Sequence, residues 1–156
     1  MMQVVLVEPE IPQNTGSIAR TCAATEVSLH LVGKLGFDIS DKAVRRAGLD
    51  YWPWVDLHTH RNWDQYLIDA APERLWFFSA HGTCSYFDVQ YGPHDTLVFG
   101  SETKGLGKEF LAQHADSVLT IPIKSQHVRS LNLSNVVTTA LYLSLIHISE
   151  PTRLSV

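Results

Sequence analysis

Apolar runs of strand length alternate with helix-compatible segments along almost the whole chain. The segments between the runs carry apolar residues at helical spacing, and each run ends in turn or capping residues. Strands that alternate with helices predict a mostly parallel sheet covered by helices on both faces, which is an α/β fold. The predicted strands cover residues 4–9, 28–33, 55–60, 74–80, 96–100 and 117–123, and the predicted helices cover 14–25, 41–52, 62–71, 108–115 and a last segment from about Ser134.

The length and the apolar content fit one domain. The chain has 156 residues, of which 45% are hydrophobic, and we predict a single domain over residues 1–149. Residues 150–156 show neither a core pattern nor capping residues, and Pro151 ends the last helix. Two interpretations of this tail remain open: a frayed, disordered terminus, or a non-native segment that resembles translated vector or adapter sequence.

Charge and cysteine usage narrow the class of protein. The net charge of −4 gives no global basic field, so a nucleic-acid partner would have to be held by local basic patches. Cys22 and Cys84 lie far apart and suggest neither a disulfide framework nor a zinc site, which fits the cytoplasm. No run approaches the roughly 20 apolar residues that span a bilayer, so we expect no membrane association.

A glycine-rich segment, VFGSETKGLG at residues 98–107, follows a predicted strand. It fits neither the Walker pattern nor the dinucleotide-binding fingerprint, which lies after the first strand. Gly100 would allow a close approach by a ligand, Glu102 supplies a carboxylate, and Gly105 permits a turn. A plain strand-to-helix turn is the alternative.

An unusual arginine marks the segment of residues 9–21, PEIPQNTGSIART. Asn14 or Thr15 is predicted to cap the helix, and Arg20 lies among small residues that offer it no partner. A snorkelling surface arginine is the simpler interpretation, and a functional arginine is the other.

Polar residues are concentrated before the last predicted helix, in residues 121–137, IPIKSQHVRSLNLSNVV. Capping explains one or two of them and not all four: Ser130, Asn132, Ser134 and Asn135. Free backbone amides at this helix start could bind an anion or the polar atoms of a small ligand.

These three segments, in this order and with RRAGLDYW at residues 45–52, resemble the TrmL/YibK-like branch of the SPOUT (TrmH-like) RNA methyltransferases. The resemblance covers about residues 3–143. It implies a deep trefoil knot near the C-terminus, a homodimer with sites near the subunit interface, and S-adenosylmethionine as the methyl donor without a metal. Carried over by position, the donor pocket would comprise Phe78, Gly100, Glu102, Gly105, Ile121, Ser130, Leu131 and Leu133.

The implied reaction is methylation of the ribose 2′-OH of the wobble nucleotide, cytidine or modified uridine, in tRNA and in particular in leucine tRNAs. Arg20 is expected to be essential, although a guanidinium is a poor base and could instead stabilise oxyanion character or clamp a phosphate. The alternatives are a different tRNA position, ribosomal RNA, or a binding module without turnover. The resemblance assigns catalytic positions to Asn14, Arg20, Glu102, Ser130 and Asn132, and we expect the tRNA anticodon stem-loop to contact Lys42, Arg45, Arg46 and Arg129.

Overall fold

The structure is a computed structural model, and it describes residues 1–40, 42–47 and 51–149. In these residues a seven-stranded sheet has the order β3-β2-β1-β6-β4-β7-β5, and every neighbouring pair is parallel. The predicted α/β fold is confirmed. The strands are β1 (Gln3–Val7), β2 (Ser28–Val32), β3 (Leu57–His60), β4 (Arg74–Phe78), β5 (Cys84–Ser85), β6 (Asp95–Phe99) and β7 (Val118–Thr120), and the helices are α1 (Pro12–Thr25), α2 (Lys42–Ala47), α3 (Trp63–Ala70), α4 (Lys108–Gln113) and α5 (Leu133–Ser149).

The sheet is buried on both faces because its central strands are mostly apolar. In β1, Val4 and Leu6 face the core that includes Ile18 of α1 and Leu141 of α5, while Val5 faces Tyr66 of α3. Side chains alternate between the two faces of a strand, so a strand covered by helices on both sides reads as one continuous apolar run.

Some predicted boundaries differ from the structure. The strand predicted over 117–123 ends at Thr120, before Pro122, whose nitrogen cannot donate to a ladder. The two-residue β5 was not predicted, because no apolar run marks it. Of the helix predicted over 41–52, the structure describes α2 and a 3₁₀ turn at Trp52–Trp54, whereas residues 41 and 48–50, like the tail 150–156, lie outside the described residues.

The start of α1 corrects the predicted cap. The helix begins at Pro12, whose fixed φ suits a first helical position, and Ile11 is the N-cap residue without a side-chain cap. The prediction that Asn14 or Thr15 caps the helix is wrong, since both lie inside it and are buried.

Three imidazole rings stack at the edge of the sheet where β2 and β3 pair. The ring of His30 lies 4.6 Å from that of His58 and 5.1 Å from that of His60. His30 Nδ1 and His60 Nε2 are 2.9 Å apart, and His60 Nδ1 lies 3.1 Å from a carboxylate oxygen of Asp69. Burial above all, with the nearby His58 and His60, lowers the pKa of His30 to about 4.

Parallel pairing places the carboxyl ends of β1, β6, β4 and β7 at one edge of the sheet. Ligand sites of open parallel sheets form at this edge. The trefoil knot stays a prediction, because strand order does not determine which loop a chain passes through. Among the described helices, none is long and apolar enough to cross a membrane.

Candidate functional site

A cleft of about 1010 Å³ opens at the carboxyl edge of the sheet. Its walls come from the ends of β4 and β6, the segment after β7 and the start of α5, which are far apart in the sequence. The cleft is lined by these residues predicted from the sequence: Asn14, Phe78, Gly100, Glu102, Gly105, Ile121, Arg129, Ser130, Leu131, Asn132 and Leu133.

The glycine-rich loop after β6 folds back on itself. The Ser101 amide donates to the Gly105 carbonyl oxygen at 3.3 Å, and the Gly105 amide donates to the Ser101 carbonyl oxygen at 2.9 Å. A Cβ on Gly100 would lie 2.1 Å from the Gly105 carbonyl carbon, so the close approach expected at Gly100 is made by the loop itself. Gly105 has a φ of +62°, and a Cβ there would meet no atom within 4 Å, so the loop leaves open space at this turn.

The carboxylate of Glu102 joins this loop to the start of α1. One oxygen accepts from the Glu10 amide at 2.9 Å, and the other accepts from the Ile11 amide at 2.7 Å and from Asn14 Nδ2 at 3.3 Å. Negative charge is favourable near a helix N-terminus. Glu102 thus supplies, from the loop after β6, an acceptor for the amides at the start of α1, which has no side-chain cap of its own.

A second connection in the reverse direction reinforces the first. The carboxylate of Glu10 accepts from Thr103 Oγ1 at 2.6 Å and from the Thr103 amide at 3.2 Å. The hydrogen bonds from Thr103 hold the pKa of Glu10 below its ordinary value. The loop after β6 and the segment after β1 are therefore fastened to each other by two carboxylates.

Asn14 extends the connection to α5. Its Oδ1 accepts from Asn132 Nδ2 at 3.1 Å, and Asn132 Oδ1 accepts from the backbone amides of Ser134 at 2.9 Å and Asn135 at 3.4 Å. A carboxylate only accepts and a backbone amide only donates, so both ends of the chain Glu102–Asn14–Asn132 fix the orientation of the two amides. Asn132 is the N-cap of α5 and also lines the cleft.

The walls of the cleft suit an aromatic ring and polar groups recognised by backbone. Phe78 stacks on Phe99 at 4.7 Å, and Ile121, Leu131 and Leu133 add apolar surface. Within the described part of the chain, residues 124–131 make no backbone–backbone hydrogen bond. The His127 amide donates to Ser125 Oγ at 3.1 Å, and the other amides and the carbonyls of this segment are available to a ligand, since backbone polar groups in a protein normally find partners.

Arg20 does not line the cleft. It is exposed and lies six residues beyond Asn14, which is about 9 Å along α1. Its guanidinium carbon lies 4.6 Å above the ring of Tyr51, and Nη2 donates to the Tyr51 hydroxyl at 3.4 Å. Of the aromatic residues near this contact, Trp52 packs against the core, while Tyr51 and Trp54 are exposed.

The four residues expected to contact RNA fall into two places. Arg129 lines the cleft. Lys42, Arg45 and Arg46 are exposed on α2, which packs against α1. The two places are separate in a single copy of the chain.

Several cleft residues were not singled out from the sequence. Ser79 and His81 follow the end of β4, Thr103 lies in the glycine-rich loop, and Ile11 precedes α1. The signal that could have found Ser79 and His81 is their place directly after a buried strand, where parallel sheets carry ligand sites. The described residues contain no group of three or more histidine, cysteine or acidic side chains able to hold a metal ion.

The fold, the cleft and the motifs define a class of protein. The chain belongs to the SpoU rRNA methylase family, whose model matches residues 1–142. The resemblance to this class of RNA methyltransferase drawn from the motifs is confirmed.

Relatives within the family are more specific. The chain is 50% identical over 143 residues to a tRNA (cytidine(34)-2′-O)-methyltransferase of Saccharophagus degradans, covering 91% of this chain and 92% of the relative. A protein of the same name from Burkholderia pseudomallei is 41% identical over 145 residues, covering 91% and 92%. A solved structure concerned with 2-OH methylation of C/U34 on tRNA superposes with a TM-score of 0.88 at 43% identity, covering 94% of this chain and 95% of that one.

Proposed function

We propose that this chain methylates the ribose 2′-OH of the wobble nucleotide of tRNA, cytidine or modified uridine, with S-adenosylmethionine as donor. The observation that carries the proposal is the hydrogen-bonded chain Glu102–Asn14–Asn132, which joins three distant motifs at one cleft. The relatives of Saccharophagus and Burkholderia, whose names state this activity, support it.

The donor would occupy the part of the cleft between the glycine-rich loop and the start of α5. Its sulfonium supplies an activated methyl group. Phe78, Ile121, Leu131 and Leu133 offer apolar surface for adenine. The open turn at Gly105 and residues 124–131, whose backbone makes no hydrogen bond to other backbone groups, offer polar contacts. A rRNA methyltransferase of Sinorhizobium meliloti with AdoMet bound superposes with a TM-score of 0.82 at 25% identity, covering 94% of this chain and 56% of that one, which supports the donor.

The acceptor ribose would lie against the polar side of the same cleft. Ser130 lines the cleft, and its hydroxyl makes no hydrogen bond among the described residues, so it can bind a ribose hydroxyl. Glu102, Asn14 and Asn132 are rigidly hydrogen bonded and hold the surrounding loops at a fixed spacing. In-line displacement requires oxygen, methyl carbon and sulfur to be aligned, so positioning supplies much of the rate.

A homodimer would bring Arg20 to a cleft. Tyr142 and Ile146 are each 47% exposed on α5, next to α1, where Thr21 and Thr138 meet at 3.4 Å. This apolar face, together with the exposed Arg20, fits a twofold contact in which Arg20 of one protomer faces the site of its partner. There the guanidinium would stabilise the developing oxyanion or hold the adjacent phosphate, because it stays protonated.

The RNA would approach along basic side chains. Arg129 at the cleft and the cluster Lys42, Arg45 and Arg46 on α2 would contact the phosphates of an anticodon stem-loop, with leucine tRNAs as the expected substrates. The enzyme would then act in the cytoplasm, where tRNA is modified.

Transfer of labelled methyl to synthetic anticodon stem-loops tests the proposal. A stem-loop with ribose at the wobble position should be labelled, and the same stem-loop with 2′-deoxyribose at that position should not. Labelling of the deoxy control would move the reaction to another position, labelling of ribosomal RNA alone would replace the substrate, and donor binding without any labelling would favour a binding module.

A further inference from the structure

Among the residues that the structure describes, the exposed arginine of α1 has an aromatic partner and no acidic one. Arg20 stacks over Tyr51 at 4.6 Å and donates to its hydroxyl at 3.4 Å. In residues 1–40, 42–47 and 51–149, the ion pairs with carboxylates belong to Arg74, His58 and His60. Arg20 is therefore held in position by a neutral side chain.

A second arginine shows the opposite arrangement. Arg74 donates two hydrogen bonds to Asp95, at 2.8 Å and 2.6 Å, and a third to the Gln90 carbonyl oxygen at 2.6 Å. Its charge is neutralised within the chain, as expected of a structural arginine. Tyrosine orients a guanidinium through its ring and hydroxyl but leaves the positive charge free for an external anion.

Tyr51 is itself fixed by the turn that follows it. The Trp54 amide donates to the Tyr51 carbonyl oxygen at 2.9 Å, and the Val55 amide donates to the Trp52 carbonyl oxygen at 3.1 Å. Trp52 packs against the main core, which anchors the turn. The ring is therefore presented to α1 by a rigid support.

We infer that Tyr51 is a positioning residue for Arg20, holding the guanidinium extended and still charged for the anionic oxygen or phosphate of the RNA substrate. This inference rests on the proposed role of Arg20 in methyl transfer. A free arginine side chain samples many rotamers, and fixing it before the substrate arrives removes that entropy cost from the reaction.

Two substitutions separate the ring from the hydroxyl. Tyr51→Phe keeps the stacking and removes the hydrogen bond, so kcat for methyl transfer should fall about threefold; Tyr51→Leu removes both, and kcat should fall about tenfold. The dissociation constant of S-adenosylmethionine should stay within twofold, because neither residue lines the cleft. Phe87→Leu is the matched control: it replaces an exposed aromatic ring away from Arg20 and should leave kcat unchanged.

A measurement independent of activity examines the contact itself. The ¹H–¹⁵N relaxation of the Arg20 Nε group should report an ordered side chain in the wild type and Tyr51→Phe and a mobile one in Tyr51→Leu. An unchanged kcat in folded Tyr51→Leu, or equal order of Arg20 in all three proteins, would overturn the inference. If the wild type fails to methylate tRNA, the proposed function falls, and the relaxation data alone decide whether Tyr51 holds Arg20.

Discussion

Replacing Glu102 by glutamine probes the connection between the glycine-rich loop and α1. The carboxylate accepts three hydrogen bonds, from the amides of Glu10 and Ile11 and from Asn14 Nδ2. Glutamine keeps one acceptor oxygen and turns its NH₂ group toward donors that need an acceptor. Either orientation of the amide therefore leaves at least one donor without its partner and sets two donors against each other.

The size of the effect follows from the hydrogen bonds lost. A hydrogen bond to a charged group contributes about 1.5–3 kcal/mol, and the partial exposure of this site reduces the loss, so we expect the free energy of unfolding to fall by about 2 kcal/mol. For a chain of this size that corresponds to a fall in Tm of roughly 4–8 °C. The activation free energy of methyl transfer should rise by more than the free energy of unfolding falls, because the loop that lines the cleft loses its hydrogen bonds to the start of α1.

Thermal unfolding followed by circular dichroism and transfer of labelled methyl from S-adenosylmethionine to tRNA measure the two effects. Glu73→Gln makes the same change of charge at an exposed position and should leave both values unaltered. If Glu102→Gln melts within 1 °C of the wild type, as the control should by the same scale, the three hydrogen bonds do not hold the loop and the reasoning is refuted.

Three further predictions concern other parts of the molecule. Burial lowers the pKa of His30 to about 4, so the unfolded chain binds more protons than the folded chain near pH 5. Urea titrations should therefore show a free energy of unfolding about 2 kcal/mol lower at pH 5 than at pH 7, and His30→Gln should abolish this difference. The same change of unfolding free energy with pH in both proteins would contradict this. Gly100→Ala should weaken calorimetric donor binding at least tenfold by forcing the loop open, whereas Gly92→Ala, with its nearest atom 3.6 Å away, should bind normally. Ile146→Glu should shift the sedimentation of the protein from dimer to monomer and reduce methyl transfer in parallel; an unshifted dimer would exclude this face.

The sequence predicted the layers of the fold more fully than the contacts of the site. Strands such as β1 are buried on both faces, so their apolar runs are visible without knowing their neighbours. Asn14 was assigned to a cap because capping rules consider only nearby residues, whereas its partner Glu102 lies 88 positions away. Local sequence patterns likewise could not predict the partner of Arg20, since Tyr51 lies 31 positions along the chain.

The start of α5 carries more polar side chains than a helix cap needs. Four polar side chains precede or open this helix, and the structure uses two of them for capping: Asn132 Oδ1 accepts from the Ser134 amide and from the Ser134 hydroxyl at 2.5 Å. Ser130 lines the cleft without a partner among the described residues, and Asn135 contributes its backbone amide to the cap. The excess of polar residues over the needs of the cap therefore coincides with the wall of the cleft, because a helix start uses few side chains for capping and the remainder is free to contact a ligand.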